Sequence, residues 1–181
     1  NVTDLEIPYY FYDLQGHVFT DLSKRDRINF SFYSGRDDLQ WPDFGLNIFW
    51  GNRTISTKYR RLFSEQLIGN FMLAASTFYI NSSLGGDSGS KSDNVIKDNS
   101  FTASFQYFLN DNYTLKFGGQ LKKLNLDYLE TFNDAEVFKY EQTPRDLSVF
   151  TKLKWVTLNE RLIVEPGIRL NYYNKMLKKF Y

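Results

Sequence analysis

Cysteine is absent from this sequence, which excludes a disulfide framework and thiolate-ligated metal sites. Histidine occurs once, and proline four times in 181 residues. Neither sign of charge dominates: 22 basic residues face 21 acidic ones, for a net charge of +1. A strongly basic nucleic-acid-binding domain is therefore not expected, and no nucleic-acid partner is assigned. No apolar run reaches the ~18 residues of a membrane-crossing helix. The chain has no initiator Met and no basic-then-apolar leader. The expectation is a removed signal or an internal stretch of a longer chain.

Aromatic residues are plentiful, at 18% of the chain, and the dominant hydropathy period is two, the mark of strands. Tyr12, Leu14, Gly16, Val18, Thr20 and Leu22 alternate with polar neighbours. A Ser23-Lys24-Arg25-Asp26 turn follows, and then Ile28, Phe30 and Phe32 alternate with Asn29, Ser31 and Tyr33. The same pattern returns at Ile55–Tyr59 and Phe71–Tyr79, and again at Phe101–Tyr107 and Leu115–Leu121. In the second of these pairs Asn110-Asp111-Asn112 supplies the turn. A last pair, Leu147–Leu153 and Leu162–Tyr172, turns at Leu158-Asn159-Glu160-Arg161. This gives about eight antiparallel strands of about 9–12 residues in four hairpins, above the usual globular length.

The connections are unequal. Turns within hairpins are short, whereas 34–50, 81–99 and 125–144 are expected to be long loops, all at one end of an up-and-down sheet. Short turns at one rim and long loops at the other is the plan of an outer-membrane barrel. Strand length suits a tilted bilayer crossing. Aromatics crowd the strand ends, at Tyr10, Tyr12, Tyr33, Trp50, Phe63, Tyr79, Tyr107, Tyr113, Trp155 and Tyr172, where interfacial girdles belong. A soluble lipocalin-type barrel or sandwich would bury the same apolar positions, and alternation alone leaves that alternative open.

Four segments sharpen the reading. Asp13-Leu14-Gln15-Gly16-His17-Val18 leading to Leu22-Ser23, Asn52-Arg53-Thr54, Phe108–Gly118 and Glu165-Pro166-Gly167-Ile168-Arg169-Leu170 resemble the barrel of TonB-dependent outer-membrane receptors. The last is the strongest, and the resemblance covers most of the chain. It implies an open, curved sheet forming roughly the middle third of a 22-strand transmembrane barrel. It also implies a cell outer-membrane location, lipid around the wall, and a plug and remaining barrel supplied by the parent chain. A periplasmic energy-coupling protein would act through that parent chain. The implied function is energy-coupled uptake of a large nutrient of the siderophore, vitamin or glycan class. Two alternatives are a complete small eight-stranded barrel serving as anchor or adhesin, and a soluble ligand-binding barrel.

Little in the sequence points to bond-making chemistry. His17 lacks companions for a metal site and reads as a polar residue of the lumen. Gly85-Gly86-Asp87-Ser88-Gly89-Ser90 has the composition of a flexible loop and opens no helix. No nucleophile–base–orienter set can be assembled, and Asp37-Asp38 read as solvated charge. The chain is read as a non-enzyme without a cofactor.

Charge is nevertheless partitioned. The three long linkers together carry −7, which leaves +8 elsewhere. Much of the excess falls on positions facing away from the apolar set, among them Lys58, Arg60, Lys116, Lys122, Lys152, Lys154 and Arg169. Either these form a basic lumen for an anionic ligand or acidic plug, or they are paired. Candidate ligand contacts are Trp41, Phe132 and Tyr140 from the linkers, with Lys116, Lys122 and Arg169 from the lumen. Asp127, Glu130, Asp134 and Glu136 could converge on a divalent cation if their linker folds back.

Overall fold

The computed structural model describes residues 8–86, 89–157 and 161–174. Residues 158–160 of the turn expected at 158–161, and part of the glycine-rich loop, lie outside the described residues. Among the described residues there are ten strands: β1 (Tyr9–Asp21), β2 (Asp26–Trp41), β3 (Leu46–Ser64), β4 (Leu67–Leu84), β5 (Ser90–Phe108), β6 (Tyr113–Phe132), β7 (Ala135–Gln142), β8 (Arg145–Thr157), β9 (Leu162–Val164) and β10 (Gly167–Asn174). They form one antiparallel sheet in the order β1-β2-β3-β4-β5-β6-β8-β10, with β7 beside β6 and β9 beside β8.

Ten strands reduce to the eight staves expected, because two staves are broken by proline. Pro144 separates β7 from β8, and Pro166 separates β9 from β10; neither has an N–H for the ladder. Their carbonyls still accept, from Leu124 N–H at 3.0 Å and Leu153 N–H at 2.9 Å, so the staves run on.

The stretches 34–50, 81–99 and 125–144 are not long loops. Pairing continues along β2 and β3 to Trp41↔Leu46, along β4 and β5 to Leu84↔Ser90, and along β6 and β7 to Phe132↔Ala135. Strands β3 to β6 are consequently 18–20 residues long, against the about 9–12 expected. The connections at their tips are tight. A 3-10 turn over Pro42–Phe44 ends at Gly45, whose φ of 58° favours glycine. Asn133 and Asp134, with φ of 49° and 58°, form a two-residue hairpin turn. Neighbouring tips are tied together, with Gly85 N–H donating to Gly45 O at 3.1 Å and Asn133 N–H to Gly89 O at 3.3 Å. At the opposite rim, Asn110 Oδ1 accepts from the N–H groups of Asn112 and Tyr113, both at 3.0 Å, as its turn chemistry requires.

Among the described residues β1 bonds only to β2, and β10 only to β8, so the sheet is open. A closed eight-strand barrel would pair these two, and the register does not: the expected alternative of a complete small barrel is not what the chain forms among the described residues. Apart from Pro144, no apolar side chain is buried among the described residues. Leu73 is 60% exposed and Ile168 69%, where a soluble barrel or sandwich would cover them.

Candidate functional site

Cross-strand partners share a face of a sheet, so the register assigns every side chain to one of two sides. One row runs Val18↔Phe30↔Thr57↔Leu73↔Phe101↔Leu121↔Leu147↔Tyr172. This Phe30 face carries the apolar set read from the sequence. Rings join it laterally: Tyr59 meets Phe71 at 6.1 Å, Phe71 meets Phe105 at 5.6 Å, and Phe105 stacks on Phe117 at 5.4 Å. The other side, the Asn29 face, carries Asn29↔Lys58↔Met72↔Thr102↔Gln120↔Ser148↔Asn171.

Toward the long tips the two faces exchange character. On the Asn29 face Trp50 partners Ile80, Phe78 partners Ile96, Ile96 partners Leu126, and Tyr128 partners Tyr140. On the Phe30 face the corresponding positions turn polar, as in the row Ser34↔Arg53↔Thr77↔Lys97↔Asn125. Two of the aromatics that remain there lie under guanidinium groups, Phe49 beneath Arg36 at 4.6 Å and Tyr79 beneath Arg53 at 5.7 Å. The Asn29 face thus has a polar, cationic floor and an aromatic mouth.

The floor is a hydrogen-bonded network. Arg169 donates to Ser148 Oγ at 2.7 Å, Gln120 Oε1 at 3.2 Å and Asn171 Oδ1 at 2.9 Å, and Gln120 donates to Thr102 at 3.3 Å. Ser148 is the most buried polar residue there, at 1% exposure. Lys122 pairs with Asp98 at 2.6 Å, and Lys152 with Glu165 at 2.5 Å. Lys116 lies directly across from Lys152. Part of the cationic excess is therefore internally compensated. His17 Nδ1 lies 2.7 Å from Ser31 Oγ.

All six candidate contacts fall on the Asn29 face, in two separate groups. Lys116, Lys122 and Arg169 belong to the floor. Trp41, edge-on to Phe44 at 4.7 Å, lies at the mouth with Phe132 and Tyr140. Phe132 and Lys122 are ten residues apart on one strand, roughly 33 Å. Other members of the mouth are not evident from the sequence: Tyr9, 6.2 Å from Trp50, and Tyr128, 5.7 Å from Phe138. Trp50 and Tyr33, expected in a girdle, belong to the Asn29 face, where Tyr33 donates to Asp13 at 2.6 Å. The signal that finds the mouth is the change of phase in β6. Leu115, Phe117 and Leu121 occupy odd positions, whereas Leu124, Leu126 and Tyr128 occupy even ones.

The carboxylates of the extensions do not converge on a cation. Asp134 pairs with Lys91 at 2.9 Å and Glu141 with Lys139 at 3.0 Å. Asp127 and Glu130 are three apart on one strand and so lie on opposite faces. No group of three metal-ligating residues forms among the described residues, which corrects the divalent-cation expectation. Hydrogen bonding shifts two groups at the tips. The Tyr9 hydroxyl donates to Asp37, which raises its pKa. Burial opposes ionisation of Asp38, but hydrogen bonds from Arg36, Gln40 and Tyr10 outweigh it and hold the carboxyl below the usual range.

No family model matches the chain, and no curated protein matches it in sequence. Solved structures do. A chain of the FpvAI–pyocin S2 complex superposes with a TM-score of 0.78 at 13% identity, over 93% of this chain and 31% of that one. The copper transporter OprC gives 0.72 at 11%, over 92% of this chain and 29% of its own. BauA, the ferric preacinetobactin receptor from Acinetobacter baumannii, gives 0.71 at 9%, over 93% and 34%. The chain spans about a third of the length of each. All three are TonB-dependent receptors, and the shared property is the fold: an open antiparallel sheet that matches a stretch of such a barrel.

Proposed function

We infer that this chain is a stretch of the wall of an outer-membrane barrel that admits a large nutrient by energy-coupled uptake. The observation that carries the reading is the exchange of hydropathy between faces along single strands. A band apolar on the Phe30 face suits hydrocarbon, and the polar continuation of that face suits water beyond it. The Asn29 face would then be the lumen, with an aromatic mouth opening outside and a cationic floor beneath. Nutrient would meet Trp41, Phe132 and Tyr140 first, and Lys116, Lys122 and Arg169 deeper in. A siderophore, vitamin or glycan fits such a surface through ring stacking followed by anion or hydroxyl contacts. A plug, the remaining staves and the link to a periplasmic energy-coupling protein would come from the parent chain. The role assigned to these residues is binding and passage, with no bond made or broken.

The test is labelling of single cysteines in the parent protein in intact outer membrane. Cysteine at Asn29 or Ser104 should react with a water-soluble reagent, and cysteine at Phe30 or Phe117 should not. The reverse pattern would remove the reading.

A further inference from the structure

Resting on the membrane reading above, we propose that the Phe30 face carries a built site for a phosphate-bearing membrane lipid. The site lies at the edge of the apolar band nearest the long tips. Lys123 and Arg145 are direct cross-strand partners there, flanked in the same row by Asn99 and Asn174. Like charges placed directly opposite repel. Neither side chain makes an ion pair among the described residues, and both are exposed. The nearest carboxylate on this face of β6, Asp127, lies four residues further out, roughly 13 Å along the strand. Acid is thus kept away from two juxtaposed cations. Lys97 and Arg53 lie one row nearer the tips on the same face and likewise form no ion pair among the described residues. At the other edge of the band, Arg61 is 3.5 Å from Asp26.

Shape completes the argument. An open groove of about 800 Å³ is lined by Ala75, Lys123 and Arg145 in its row nearest the tips and by Phe101, Leu121 and Leu147 in the row below. Ala75 lies between Ile55 and Asn99 in the register, a small side chain within the lining of the groove. An acyl chain lying along this groove would put its phosphate between the two cations. The anion would relieve their repulsion and accept charge-assisted hydrogen bonds from the ammonium and guanidinium groups. Hydrocarbon and phosphate are recognised side by side, which is the signature of a lipid and not of a free anion.

The experiment uses the full parent protein in detergent, with phosphatidic acid as probe and diacylglycerol of the same chains as the phosphate-free control. Native mass spectrometry should show phosphatidic acid retained in preference to diacylglycerol. Lys123→Gln with Arg145→Gln should weaken that retention by about thirtyfold, while Lys123→Arg with Arg145→Lys should preserve it. Ala75→Trp should weaken it with both charges intact. Equal retention of the two lipids, or unchanged retention in the glutamine variant, would overturn the site. Displacement by millimolar inorganic phosphate would overturn the lipid assignment. Failure of the barrel reading would show separately, as loss of the parent protein from the outer-membrane fraction, and would take this inference with it.

Discussion

Phe30 lies between Val18 and Thr57 in the register, in the middle of the apolar band. A lysine there or at Phe117 should cost about 2–4 kcal/mol near the bilayer midplane, and far less at Ser104 on the opposite face. Folding titrations of the parent barrel into lipid vesicles would measure the difference; equal costs at Phe30 and Ser104 would contradict the assignment of faces. Asp38 makes a different prediction. It is 4% exposed, takes a 2.8 Å bond from Arg36, and titrates below the ordinary carboxylate range. A depressed pKa means its stabilisation is complete above about pH 4 and is lost as pH falls through the lower folded value. Near neutral pH, Asp38→Asn should therefore speed proteolysis of the β2–β3 tip, whereas acidification from pH 7 to 5 should leave the native tip protected.

At the scale of the element, the β6–β7 turn needs left-handed backbone at both Asn133 and Asp134. Valine at either position should cost about 1–2 kcal/mol, and glycine at Asn133 should be tolerated. Hydrogen exchange of Phe132 and Ala135 would report the fraying. The strands themselves were legible only in part. Ile28, Phe30 and Phe32 disclose their face because, on the proposed membrane reading, hydrocarbon on one side and water on the other impose a single strict phase. Beyond the band that pressure ends. In β6 the phase flips around Lys122-Lys123, and a reader following one phase sees the pattern stop and infers a loop. Backbone pairing continues regardless, because it depends on N–H and C=O groups that hydropathy does not reveal. For the same reason the alternation separates the cations of the floor from the apolar set, whereas it gives no sign of Tyr128 in the mouth and leaves Trp50 looking like a strand-end girdle aromatic.

For the whole molecule the decisive feature is its two free edges. β1 and β10 each present a row of backbone groups that no described strand satisfies. In hydrocarbon each such group costs several kcal/mol, so this sheet cannot persist in a bilayer by itself. In water it is no better placed, since long exposed edges template further strands and the Phe30 face has no cover. Expressed alone, residues 1–181 should form aggregates rich in β-structure and should not refold in detergent as a heat-modifiable monomer. Joined to the rest of the parent barrel, the same residues should enter the outer membrane and resist unfolding on a gel until heated. A disulfide test refines this. Cysteines at Gly16 and Phe32, direct partners on β1 and β2, should cross-link in the assembled barrel. Cysteines on β1 and β10, at Val18 and Leu170, should not, because other staves would stand between them. A cross-link between β1 and β10 would mean that the sheet closes on itself, and the wide-barrel reading would fall with it.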